Sequence, residues 1–262
     1  MKTRFETMST EEREEVIASL EDVRDRVLDG ARLREDDSLL DVGTGTGLLV
    51  FGALDRLGAD GSVIALDISV DCLEELRAAC DDPRVSYLVG DAEALPLPDG
   101  SVDVVTTRSV LIYVREKAEA AREFFRVLRP GGRVSIFEPV NRRNTQLWEL
   151  VDFGDLSERV TADFYRRWPP DHPMQDFDAE DMAGWFHEAG FDGVNADVVV
   201  SPVTVTPDAV LHGIGAPGSP ALVDAWQEEF SPEEVAQLEA AVLAAGPTEP
   251  RWPGLYLAAH KL

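Results

Sequence analysis

Lysine is nearly missing from this 262-residue chain: Lys2, Lys117 and Lys261 are the only three, and arginines make up the rest of its 24 basic residues. Against them stand 50 aspartates and glutamates, for a formal charge of −26. A field that negative repels phosphate backbones and anionic membranes, so neither nucleic acid nor a membrane is expected as a partner. The acidity suits a salt-rich cytoplasm, where screening relieves self-repulsion, and equally an ordinary solvated surface encoded by a GC-rich genome. Cysteine is scarce too. Cys72 and Cys80, on one helix, stand about 12 Å apart along its axis, beyond the roughly 7 Å a disulfide spans, so both are expected as free thiols. No apolar run approaches the roughly 20 residues of a membrane span, and residues 1–10 hold no apolar core of a secretion signal. The four histidines (172, 187, 212 and 260) show no metal-ligand spacing, so no metal is expected. These absences point to a soluble, cytoplasmic protein; a monomer or a homodimer is expected, though not from these absences.

What is present is a core. Hydrophobic residues make up 44% of the chain and charged residues 28%, enough to exclude general disorder and to fill one large domain or one domain with an insertion. Residues 1–30 read as a helix, with Ser9 as N-cap, Glu12 completing a capping box and Gly30 as its stop. Strands are then expected at 38–42, 62–66, 85–89, 102–106 and 133–137. Helices are expected at 48–57, 70–80 and 115–128, with a turn at Arg129-Pro130-Gly131-Gly132. A helix at 178–189, a strand at 192–200, a helical stretch over 207–245 and a last strand at 254–260 follow. Strands alternating with helices imply an α/β fold, a doubly wound, mostly parallel seven-stranded sheet of Rossmann-like type. Such sheets bind ligands at the carboxyl ends of their strands, here after Val42, Leu66, Val89 and Thr106. The organisation reads as an N-terminal helical cap (1–30), a cofactor-binding core (31–138), an aromatic lid insertion (139–177) and the rest of the sheet (178–262).

The strongest motif is Asp41-Val42-Gly43-Thr44-Gly45-Thr46-Gly47. Glycines at a strand-to-helix turn let backbone pass close to a ligand, with helix N-terminal N–H groups aimed at it. Asp67 follows Gly47 by 20 residues at the end of the next strand, where an acid can accept from both ribose hydroxyls. Standing at an open cleft, it should be removable without loss of the fold. A dinucleotide fingerprint needs glycine where Leu48 stands; Gly47 is one position early. No lysine or arginine occurs between Arg34 and Arg56, so a pyrophosphate would meet Asp41 without a compensating cation. A ligand carrying a sulfonium and an ammonium suits the same carboxylate.

At these residues the chain resembles the class I S-adenosylmethionine-dependent methyltransferases, most closely the small-molecule branch that includes the quinone-biosynthesis C-methyltransferases. The resemblance spans about 37–138. It also rests on Ala65-Leu66-Asp67-Ile68-Ser69, on Gly90-Asp91-Ala92-Glu93-Ala94-Leu95-Pro96-Leu97-Pro98-Asp99-Gly100-Ser101-Val102-Asp103, and on Leu128-Arg129-Pro130-Gly131-Gly132-Arg133. It implies S-adenosyl-L-methionine as cofactor and methyl transfer to a small-molecule substrate. It also implies roles by position. Gly43, Thr44, Gly45 and Gly47 would line the methionine half, with Asp41 near its amino group. Asp67 would hold the ribose and Ile68 would pack on the adenine. Asp91 would accept from the adenine amine, and Ala92 would offer a backbone N–H. Arg108, Ser109 and Tyr113 would sit beside the methionine moiety. A cofactor-binding but non-methylating or regulatory member of the fold is the alternative.

Other chemistries lack their marks. Neither cysteine follows a proline, as a cytosine-C5 enzyme requires, and no cysteine triplet exists for a radical enzyme. Thr106-Thr107-Arg108-Ser109 replaces the Asn/Asp-Pro-Pro-aromatic motif of nucleic-acid amino-methylating enzymes. The substrate side falls to 1–30, 139–177 and 203–250. Between Val140 and Pro170 five arginines balance five acids in a chain of charge −26, and Trp148, Phe153, Phe164, Tyr165 and Trp168 cluster there. One reading is an aromatic-lined lid; the plainer one is a helical cap with its own small core and surface arginine–acid pairs. His172, between two prolines, is the weak candidate for a general base.

Overall fold

The computed structural model describes residues 10–213 and 220–262, with backbone alone at 11 and 12. Its elements are, in order, α1 (Thr10–Ala31), β1 (Ser38–Val42), α2 (Leu48–Leu54), β2 (Ser62–Asp67), α3 (Val70–Ala79), β3 (Val85–Val89), β4 (Val102–Arg108), α4 (Lys117–Val127) and β5 (Leu128–Pro139). Then come α5 (Leu147–Leu150), α6 (Ser157–Arg167), α7 (Ala179–Glu188), β6 (Asp192–Val200), α8 (Pro207–His212), α9 (Leu222–Glu229), α10 (Pro232–Ala245) and β7 (Pro253–His260). The chain divides into two compact units. One comprises Glu14–Val140, Phe177–Val199 and Gly254–Leu262; of the described residues, the other comprises 10–13, 141–176, 200–213 and 220–253.

The first unit holds one seven-stranded sheet in the order β3-β2-β1-β4-β5-β7-β6. β1 to β5 run parallel, and β7 lies antiparallel to β5. With helices on both sides, this is the doubly wound, Rossmann-like sheet that the alternation of elements predicts. β1 is central and covered on both faces, which is why Leu39, Leu40 and Val42 read as an almost continuous apolar run. On one of those faces Leu39 packs with Leu28, Ala31, Val50, Ala53, Val63, Leu76 and Val104. Each such aliphatic side chain contributes about 1.5–3 kcal/mol when fully buried.

Several boundaries differ from the sequence expectation, each for a physical reason. Gly30 does not stop α1. The helix runs to Ala31, and Arg32 takes the left-handed position at φ 50°. Gly30 is small because a Cβ there would lie 2.5 Å from Ser135 Oγ. Ser9, the expected N-cap, lies outside the described residues. α2 ends at Leu54, and β4 runs on to Arg108. Arg129-Pro130-Gly131-Gly132 is not a turn before a strand but a bulge inside β5. Val102 pairs with Leu128 and Val104 already with Arg133, and the excursion is held by Gly131 N–H to Lys261 O (2.8 Å) and Lys261 N–H to Gly132 O (2.9 Å). α4 begins at Lys117, after a 3-10 turn at Leu111–Tyr113. The stretch 207–245 breaks into α8, α9 and α10 because Thr206 and Ser231 start new helices as N-caps, each followed by a proline; residues 214–219 are outside the description.

Two of the three lysines serve as internal ties in this unit. Lys117, buried, donates from Nζ to Val114 O (2.9 Å), and Lys261 donates to both Phe125 O and Leu128 O (2.8 Å each). Cys72 and Cys80 are free thiols.

The second unit has its own core, built from Val151, Phe153, Val160, Leu211, Val223, Trp226, Phe230, Val235, Leu238 and Val242. No helix among the described residues is long and apolar enough to cross a membrane.

Candidate active site

Because β3, β2, β1 and β4 are adjacent and parallel, the segments that follow them leave the sheet at one edge. The structure therefore brings together, in the first unit, all twelve residues expected around a cofactor. His172 falls in the other unit. There its Nδ1 accepts from Met174 N–H (3.2 Å) and its ring meets Trp168 edge-on at 5.0 Å. With Nδ1 accepting, the neutral imidazole carries its hydrogen on Nε2.

The glycine loop has the conformations that its composition requires. Gly43, Gly45 and Gly47 all have positive φ, at 66°, 53° and 96°. Gly43 also lies under the turn after β4, where a Cβ would come within 2.2 Å of Val110 Cγ2. At Gly45 a Cβ would meet nothing within 4 Å, so this stretch of bare backbone faces open space. Thr44 N–H donates to Leu66 O (3.0 Å), fastening the loop to the end of β2.

Asp41 is buried at 1% exposure. Its Oδ1 accepts from the Thr106 hydroxyl (3.0 Å), which β4 holds in register opposite, but Oδ2 has no hydrogen-bond partner. Burial pushes its carboxyl up to about 7 against the pull of the Thr44 and Thr106 hydroxyls. The Thr44 hydroxyl falls outside hydrogen-bond geometry and is itself buried without a partner. Two orphaned polar oxygens beside an open glycine fit a ligand that brings a cationic donor, as the amino group of S-adenosylmethionine would.

Asp67 is not the free-standing carboxylate of an open cleft. It is 8% exposed; its Oδ2 accepts from Gly45 N–H (2.8 Å) and its Oδ1 from Ser69 N–H (2.8 Å). One side chain thus ties the glycine loop to the start of α3 while retaining lone pairs for a diol. Beside it Ile68 is 71% exposed, an apolar side chain with nothing over it in its own unit. Asp91 is exposed and accepts from Glu93 N–H (2.9 Å), while Ala92 is buried.

Arg108 is the last residue of β4 rather than the first after it. Burial pushes its guanidinium below the ordinary value, Glu138 pulls it back, and its Nε is buried without a partner. Ser109 takes φ 55° and donates its N–H to Phe137 O (2.8 Å). Tyr113 is half exposed; burial, and then the nearby Glu138, raise its phenol.

Sequence reasoning missed Glu138. Fully buried at the end of β5, it accepts from three successive backbone N–H groups, those of Val110 (3.0 Å), Leu111 (2.9 Å) and Ile112 (3.2 Å). Burial still pushes it up to about 7. Its signal was an acid closing the apolar run Val134-Ser135-Ile136-Phe137, where a solvated glutamate has no place. Thr106, the partner of Asp41, was missed for the same reason.

The sequence profile of the family described as "Methyltransferase domain" matches residues 40–136. The ubiquinone/menaquinone biosynthesis C-methyltransferase UbiE of Pectobacterium carotovorum is 34% identical over 175 residues, covering 62% of this chain and 69% of that protein. Among solved structures, the YcgJ protein of Bacillus subtilis superposes with a TM-score of 0.61 at 18% identity, over 91% of this chain and 97% of that one. A phosphoethanolamine N-methyltransferase 2 of Haemonchus contortus, solved with S-adenosyl-L-methionine, gives 0.56 at 18% identity over 91% and 52%. The chain belongs to the class I S-adenosylmethionine-dependent methyltransferases, and it transfers a methyl group from that cofactor to a small-molecule acceptor.

Proposed function

We propose that the edge formed by the ends of β1, β2, β3 and β4 is the cofactor site, and that the acceptor is an electron-rich carbon of a ring-bearing small molecule. The observation that carries the site is the pair of unpartnered buried oxygens, Asp41 Oδ2 and Thr44 Oγ1, beside the open Gly45. The carbon acceptor is supported by the relatives, which are named as C-methyltransferases of quinone biosynthesis.

When bound, S-adenosylmethionine supplies a methyl group on a sulfonium that an acceptor displaces in line. The residues of this chain bind and align. Asp41 would accept from the amino group and Asp67 from the ribose hydroxyls. Ile68 would lie against the adenine, with Asp91 and Ala92 at its edge. Arg108, Ser109 and Tyr113, on the turn fastened by Glu138, would border the methionine half. Holding two reactants in line removes up to about 7–11 kcal/mol of barrier. The chain's charge of −26 supports action away from nucleic acid, and with it a place in the cytoplasm as a monomer or homodimer.

Calorimetry with S-adenosylhomocysteine and NAD tests the site: the first is expected to bind in the micromolar range and the second not at all. Tight NAD binding without a response to S-adenosylhomocysteine overturns it. Incubation with methyl-labelled cofactor and a hydroquinone bearing an unsubstituted ring carbon tests the acceptor, with label expected on carbon; label on oxygen alone defeats the carbon reading.

A further inference from the structure

The second unit contains a cavity of about 770 Å³ made entirely from its own residues. That volume lies within the roughly 300–1,000 Å³ of small-molecule sites. Its wall includes Trp148, Phe164, Trp168, Trp226, Trp252 and Met174. Four of the chain's five tryptophans therefore face one space. Aromatic side chains gathered to fill a core would leave no such volume among them. These instead border a void, with Trp148 and Phe164 set edge to face at 5.2 Å.

The charges in the wall are already matched. Asp163 accepts from Arg166 (2.7 Å) and from Arg167 (3.1 Å); Arg166 reaches on to Glu229 (3.1 Å) and Arg167 to the Ala225 carbonyl. With Glu228 at the exposed rim, the lining holds two cations and two anions. An anionic ligand would find no uncommitted cation. A cationic ligand would find its only buried carboxylate already held by two arginines. Either would bury a charge without a counter-ion, which an uncharged ligand avoids. Among the polar side chains on the wall, the amide of Gln175 makes no hydrogen bond to another described residue. It offers both a donor and an acceptor, which suits a ring hydroxyl or carbonyl.

We infer that this cavity is a binding site for an uncharged, flat, ring-bearing molecule that carries a hydroxyl or carbonyl group.

The test is calorimetric titration near neutral pH with three bicyclic probes of one shape: 2-naphthol, 2-naphthoate and 2-naphthylmethylammonium. S-adenosylhomocysteine is titrated separately. 2-Naphthol is expected to bind and to quench tryptophan emission, with each charged probe at least about tenfold weaker, the ratio that 1.4 kcal/mol represents. Gln175→Leu and Trp168→Ala should each weaken 2-naphthol by about that factor and leave S-adenosylhomocysteine unaffected. Gln175→Leu alters no core residue, so it stands as the test if Trp168→Ala does not fold. Equal affinity for the three probes, or parental affinity in a folded Gln175→Leu protein, overturns the site.

Discussion

Burial holds the Asp41 carboxyl at about 7 instead of its ordinary 3.8. Between those values the folded chain keeps a proton that the unfolded chain has released, so at this group stability falls as pH rises through the window. Asp41→Asn keeps the site neutral at every pH. Its cost relative to the parent should be greatest below about pH 4 and fall as pH rises, by on the order of 3 kcal/mol at most between about pH 5 and about pH 8. Glu138 titrates in the same range but is common to both proteins and drops out of the difference. Urea unfolding at the two pH values measures it, and a pH-independent cost would mean that Asp41 ionises normally. Asp67 makes a different prediction. Asp67→Ala removes the acceptor of the Gly45 and Ser69 N–H groups, and a hydrogen bond to a charged acceptor contributes about 1.5–3 kcal/mol. The thermal midpoint should fall along with S-adenosylhomocysteine affinity, the latter by at least about tenfold. Asp67→Asn keeps one acceptor, so it should recover part of the midpoint while binding stays weak. Full affinity in either folded variant would remove Asp67 from the cofactor site.

Among the elements, the turn after β4 depends on one distant side chain. Glu138→Ala leaves three N–H groups without an acceptor, a loss of about 3 kcal/mol or more. Glu138→Gln retains one carbonyl oxygen and should lose less. Chemical denaturation ranks the three proteins, and a Gln variant no better than the Ala one would show that both carboxylate oxygens are needed. Glu138 also marks where sequence reading stops. The glycine loop was legible because positive φ selects glycine, and Asp67 because a fixed chain length separates it from that loop. Strands such as Val85–Val89 and Asp192–Val200 were legible from their apolar content and flanking breaks. Glu138 acts on residues 26–28 positions earlier through strand pairing, and no local pattern encodes that. The bulge at Arg129-Pro130-Gly131-Gly132 escaped likewise, because only pairing with Lys261 distinguishes it from a turn.

At the scale of the whole molecule, the alternation of strands and helices was enough to read the sheet, since each parallel crossover is continuous in sequence. The helical unit was read only in part. It is assembled from separated stretches: α6 meets α9 through Arg167 and the Ala225 carbonyl, 58 residues apart, and α10 through Arg159 and Glu234, 75 residues apart. Of the five arginines between Val140 and Pro170, Arg159, Arg166 and Arg167 are bound to acids, as the plainer reading of that stretch expects. The lysine ties of the sheet unit have a practical consequence of another kind. An amine-selective acylating reagent needs a free, deprotonated Nζ, yet Lys117 is buried on the Val114 carbonyl and Lys261 is shared between two carbonyls. In the native protein both should resist acylation that goes to completion once the chain is unfolded. Peptide mapping by mass spectrometry, before and after denaturant, would read this directly. Ready modification of Lys117 in the native state would show that its tie is broken in solution. If both lysines are protected, the pair serves as a built-in chemical reporter of whether the sheet is intact, with no residue changed.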